Sequence, residues 1–110
     1  VTDQGARARA DEAYAARDWL GAADGYLAAA EAPGPDAAGC FHRAGTAYLK
    51  ARRFSEAANA YERALEDESW TRAGETTANL GVAYAALDRD EDAVRAFGEA
   101  AGDLRSPVRY

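Results

Sequence analysis

The stretch Phe41–Leu65, FHRAGTAYLKARRFSEAANAYERAL, carries two helical half-patterns in succession. In the first, Gly45 and Tyr48 stand three residues apart; in the second, Phe54 is followed by Ala57, Tyr61 and Ala64. Spacings of three and four place such residues on one face of a helix. A turn is expected between the halves, near residues 51–54. The pattern returns 36 residues on as Gly81, Tyr84, Ala93, Phe97 and Ala100. Its second half also stands 35 residues earlier as Ala22, Tyr26 and Ala29. A period of this length marks an array of supersecondary units, none of which buries its apolar face alone.

The composition agrees. The 110 residues make one domain, 48% hydrophobic, with 30 alanines and no isoleucine. Alanine is the best helix former, and β-branched residues are too sparse to build a sheet. The expected class is all-α. A net charge of −6 argues against nucleic acid or an anionic membrane as partner. No apolar run approaches the ~18–20 residues that span a bilayer. Cys40 is the only cysteine, so no intramolecular disulfide forms. The chain starts at Val1 and contains no methionine, which suggests a piece of a longer protein. The compartment stays open, with the cytoplasm favoured.

In chain order, Thr2 or Asp3 can cap a helix to about Ala16, and Asp18 a second from Trp19 to about Ala32. Pro33-Gly34-Pro35 ends that helix. Asp36 caps a third to about Ala51, and the fourth runs from Phe54 to about Asp67. Ser69 is placed to cap a fifth, reaching Leu87. The sixth, Asp90 to about Ala101, has three acids in its first turn and Gly102 as a stop. Its inward residues are expected to be Ala93, Val94, Phe97 and Ala100. Ser106-Pro107 looks like the start of a further helix, of which the tail would be a stub.

The pattern at Phe41, Gly45, Tyr48, Ala57, Tyr61 and Ala64 resembles the tetratricopeptide repeat. The resemblance covers about Gln4 to Gly102, with repeats at about 3–35, 38–71 and 74–107. It implies a right-handed α-solenoid of three antiparallel helix pairs. Trp19, Ala22, Tyr26, Phe41, Gly45, Tyr48, Ala57, Tyr61, Ala64, Gly81, Tyr84, Ala93, Phe97 and Ala100 would then pack the repeats. The first repeat matches only in its second helix, so the first helix is open to tilting or loose packing. Thr77 and Asp90 depart from the pattern, each standing where an aromatic residue is usual.

Such arrays are protein–protein interaction scaffolds that take a peptide or helix in a concave groove. Carried over by position, the groove would comprise Arg7, Asp11, Tyr14, His42, Arg43, Thr46, Lys50, Glu75, Asn79 and Val82, with Gln4, Leu49, Ala78, Ala85 and Ala86 beside them. Arg7, His42, Arg43 and Lys50 form a basic cluster suited to a carboxylate, since guanidinium groups bind carboxylates in bidentate fashion; the plainer expectation is a solvated face balanced by Asp11 and Glu75. The chaperone-type carboxylate clamp is not expected, because Asp11 and Glu75 stand where that clamp has an amide and a lysine. A pentatricopeptide RNA reader is disfavoured by the acidic charge and the few repeats. The alternatives are a self-associating module, joined through the C-terminal face near Leu104–Tyr110, or a docking domain of a larger enzyme.

Within these residues no catalysis is expected, and no cofactor or metal. Cys40 and His42, two apart on a helix, point in different directions; a filler cysteine and a partly exposed histidine are the simpler reading. Four zinc ligands at suitable spacing are missing. The acids at 66–68 and 88–92 lack the glycine and closing glutamate of a calcium loop. Trp70 is expected half-exposed at a repeat junction, where it could anchor a partner.

Overall fold

The computed structural model describes residues 3–31 and 36–105. Six helices follow one another: α1 (Asp3–Ala15), α2 (Trp19–Glu31), α3 (Ala37–Lys50), α4 (Phe54–Ala64), α5 (Ala73–Ala86) and α6 (Asp90–Arg105). Each packs chiefly on the next in the chain, and α3 also touches α5. The array measures 46 × 30 × 20 Å and is consistent with a helical solenoid.

The repeat is written in the turns as well as in the core. Arg17, Arg52 and Asp88 sit in the left-handed region, with φ of 63°, 63° and 60°. They follow one another at 35 and 36 residues. Around each, the same two hydrogen bonds close the preceding helix. Arg17 N–H donates to Tyr14 O and Asp18 N–H to Ala13 O; Arg52 to Leu49 and Arg53 to Tyr48; Asp88 to Ala85 and Arg89 to Tyr84. These bonds satisfy carbonyls that a helix end otherwise leaves without partners.

Helix entry is polar. Asp18 Oδ1 accepts the Gly21 N–H at 3.1 Å and caps α2 as expected. At α4, α5 and α6 an arginine just before the helix pairs with an acid in its first turn. These pairs are Arg53–Glu56 at 2.6 Å, Arg72–Glu75 at 2.8 Å and Arg89–Asp92 at 2.9 Å.

Small residues let the helices approach, and aromatic rings fill what is left. Ala22, Ala44, Ala47, Ala57, Tyr61 and Ala64 are fully buried. A Cβ at Gly45 would lie 2.7 Å from the Tyr61 ring, and one at Gly81 2.8 Å from the Phe97 ring. Between α1 and α2 the roles are exchanged. Gly25 on α2 receives Ala10 of α1, its own Cβ position being 2.7 Å from the Ala10 Cβ. Loose packing of α1 is therefore corrected: Ala10 is 1% exposed.

Other expectations change. Ser69 does not cap α5; it turns back on Asp67 Oδ1 through its N–H and hydroxyl, and the helix starts at Ala73. Asp36 precedes α3 but makes no side-chain cap bond, its carboxylate being held by Arg7. Helix α4 ends at Ala64 rather than Asp67, and α6 runs past Gly102 to Arg105. Val94 is 72% exposed rather than inward, and Phe97, though packed on Gly81, is 43% exposed. Trp19 is only partly buried, edge-on to Tyr14 with ring centres 5.0 Å apart. Thr2, Pro33-Gly34-Pro35 and Ser106-Pro107 lie outside the described residues.

Candidate functional site

Helices α1, α2, α3 and the start of α5 enclose a concavity of about 350 Å³ lined by Tyr14, Tyr26, His42, Arg43, Thr46, Arg72 and Glu75. Five of these (Tyr14, His42, Arg43, Thr46 and Glu75) were placed in the groove by sequence position. Packing of each helix on the next, with α3 also touching α5, brings together residues spread over 60 positions.

The floor is a hydrogen-bond network centred on Thr76. Its Oγ1 lies 3.0 Å from Arg72 O, 2.8 Å from Trp70 Nε1 and 2.8 Å from His42 Nδ1. A hydroxyl has one proton and two acceptor positions. With its proton on the Arg72 carbonyl, the oxygen accepts from both the indole N–H and the imidazole Nδ1–H. All three capacities are used, and the neutral His42 carries its proton on Nδ1. The ring packs between Tyr61 and Trp70, with centroids at 5.6 and 5.8 Å. His42 is 4% exposed, which corrects the expectation of a partly exposed histidine.

Burial pushes the His42 imidazole below its ordinary range; Glu75 partly offsets this, while Arg72 and Arg43 reinforce it. Glu75 Oε2 stands 3.7 Å from His42 Nε2, but its carboxylate is gripped by the Arg72 guanidinium at 2.8–3.0 Å. Behind them Tyr61 shares a 2.9 Å hydrogen bond with Thr46, and burial raises its phenol to about 12 despite bonds from Thr46 and Asn79.

The walls carry most of the charge in matched pairs. Tyr26 donates its hydroxyl proton to Asp11, and burial followed by that bond holds the phenol strongly protonated. Arg7 pairs with Asp36. Lys50 does not join a basic cluster; its Nζ lies 5.5 Å from the Trp19 ring centre. Arg43 differs. It is half-buried, and its charge acts on both Tyr26 and His42. Among the described residues it makes no ion pair within 4.0 Å.

Asn79 reaches Tyr61, and Val82 is 45% exposed further along α5. Sequence reasoning missed Thr76, Arg72 and the Trp70–Thr76 hydrogen bond, though Trp70 is partly buried as expected. The signal for Thr76 was present: Thr76, Leu80, Ala83 and Leu87 form one stripe at helical spacing. Cys40 lies in an alanine cluster with Phe41, away from His42. Among the described residues no group of three or more His, Cys, Asp or Glu could hold a metal ion, and no helix is long and apolar enough to cross a membrane. Compared with protein-family models, curated proteins and solved structures, the chain matches none.

Proposed function

We propose that the chain is an interaction module of the tetratricopeptide type, a right-handed solenoid of three antiparallel helix pairs. In this reading a partner segment lies in the concavity between α1, α3 and α5. The repeat identity is supported by the three left-handed turns at 35 and 36 residues and by the Gly45–Tyr61 and Gly81–Phe97 contacts.

The observation that carries the binding reading is Arg43. A half-buried guanidinium in a concavity, without an ion pair among the described residues, has donors to offer a guest. Tyr14 and Tyr26 beside it supply rigid amphipathic walls. An acidic side chain or carboxylate of the partner would satisfy Arg43.

The test is selection of binders from a displayed library of random peptides, followed by mapping of amide shift changes on the labelled protein. Changes at Tyr14, Arg43, Thr46 and Glu75, lost at least about tenfold in affinity (~1.4 kcal/mol) with Arg43→Glu, would support the proposal. Binders that shift only the outer faces of α2, α4 and α6, or no binders at all, would overturn it.

A further inference from the structure

The bonds around Thr76 fix where His42 keeps its lone pair. Thr76 Oγ1 gives its one proton to Arg72 O at 3.0 Å and takes the Trp70 indole N–H at 2.8 Å. Nδ1 of His42, also at 2.8 Å, must therefore be the protonated ring nitrogen. Nε2 is then an acceptor. Among the described residues it takes no hydrogen bond; the group facing it is Glu75 Oε2 at 3.7 Å, too far for a bond and itself an acceptor.

Glu75 has capacity left at the same place. Three bonds tie its carboxylate to Arg72, two ending on Oε1 and one on Oε2, so Oε2 keeps an acceptor position. Two acceptors thus face each other on the lining of the concavity, neither with a proton to give. Burial keeps the imidazole neutral, so the ring does not supply that proton near neutral pH.

We infer that this pair selects a guest with a primary carboxamide, an asparagine or glutamine side chain whose NH2 group bridges His42 Nε2 and Glu75 Oε2. The inference rests on the reading of the concavity as a groove for a partner segment. Proton counting narrows the choice. Acceptors 3.7 Å apart are both within reach of one nitrogen about 2.9 Å from each, and that nitrogen needs two protons. A backbone N–H or a hydroxyl has one, and would leave the other acceptor unmet. A carboxylate has none, and would set a third acceptor beside the first two. Charge narrows it further. Arg72 already neutralises Glu75, and His42 is 4% exposed. A lysine ammonium or arginine guanidinium placed there would lose hydration without gaining a counter-charge of its own. A carboxamide is neutral. Its oxygen is a further acceptor for Arg43 on the same lining, whose five N–H donors suffice for the partner's acid as well.

The displayed random-peptide library is the probe. Among binders that Arg43→Glu abolishes, asparagine or glutamine is expected to recur at one fixed position relative to the acid. Replacing asparagine by leucine, or glutamine by methionine, keeps the approximate shape and the neutrality. It is expected to weaken binding about tenfold or more. In Glu75→Ala, at a half-exposed position, that discrimination shrinks to about threefold or less. His42 is the only histidine, so its ring nitrogens are assigned without ambiguity in a nitrogen-15 spectrum. Nε2 is expected to shift with the amide peptide and to stay in place with its leucine or methionine form. Arg43-dependent binders without a recurrent amide overturn this inference and leave the groove itself standing. So does an amide replaced without loss, an Nε2 resonance that does not move, or a discrimination unchanged in Glu75→Ala. No Arg43-dependent binder at all overturns the groove and this inference together.

Discussion

The His42 imidazole meets the Thr76 hydroxyl at 2.8 Å across the α3–α5 junction, and both side chains are buried. It is a buried polar link between α3 and α5, in a region where the Tyr84–Glu62 hydrogen bond also ties α5 to α4. Thr76→Val keeps the shape and removes the oxygen. It leaves the Trp70 indole N–H and the His42 Nδ1–H without the partner they share. The expected loss is about 1–3 kcal/mol of stability, the cost of stranding buried donors. Urea denaturation followed by tryptophan fluorescence checks this, and no change in midpoint would refute the network.

The same burial sets a pH dependence. The folded His42 titrates below the ordinary imidazole value, whereas the unfolded chain titrates near 6.5. As pH falls below 6.5 the unfolded state takes up a proton that the folded state refuses, so stability falls toward acid until the folded pKa is reached. The groups facing the ring are Glu75, which opposes the effect, and Arg72 and Arg43, which add to it. His42→Asn keeps a donor near the Nδ1 position and cannot titrate. Its stability is expected to be flatter than the parent as pH falls below 6.5, measured as urea midpoints. Parallel curves for the two proteins would remove His42 as the cause.

Much of this architecture is legible in Phe41–Leu65, because Gly45 and Tyr61 are chosen for each other. One lacks the Cβ that the other's ring would strike, and such pairs recur at a fixed period. Five of the residues that line the concavity were readable for the same reason. What escaped were features set by competition between neighbours. Asp36 has the chemistry of a cap but loses its carboxylate to Arg7, and Ser69 prefers Asp67 two residues back. His42 looked like a surface residue until α5 supplied Thr76. Val94 has an inward spacing on α6, yet its counterpart Ala58 is buried only because α5 covers it. Periodicity gives the face of a helix; it does not say whether another helix arrives.

Glycine positions separate the two situations. Gly45→Ala puts a Cβ within 3 Å of three ring atoms of Tyr61, which is fully buried and has nowhere to move. The expected cost is about 1–3 kcal/mol, from overpacking. Gly98→Ala meets nothing within 4 Å and relieves a helix interior of glycine, so it is expected to stabilise by roughly 0.5–1 kcal/mol. Thermal melts of the pair decide. Equal losses would mean that helix propensity, not the ring contact, governs both positions.

The turns offer the reverse change. Arg52 holds φ at 63°, a conformation in which a side chain crowds its own backbone by roughly 1–2 kcal/mol. Glycine adopts it freely, at the cost of greater freedom when unfolded. Arg52→Gly also gives up the contact of the guanidinium with Phe54, 5.5 Å from the ring centre. That contact is worth about 0.5–1 kcal/mol at an exposed site, so the net gain is expected to be no more than about 0.5 kcal/mol. Arg17→Gly removes the same strain, with no ring contact of Arg17 among those seen, and is expected to gain more, about 0.5–1 kcal/mol. Asp88→Gly gains least, because aspartate already tolerates the left-handed region better than arginine. The order Arg17, Arg52, Asp88 in melting temperature is the measurable outcome. Destabilisation by all three would show that the turns are held by their side chains rather than strained by them.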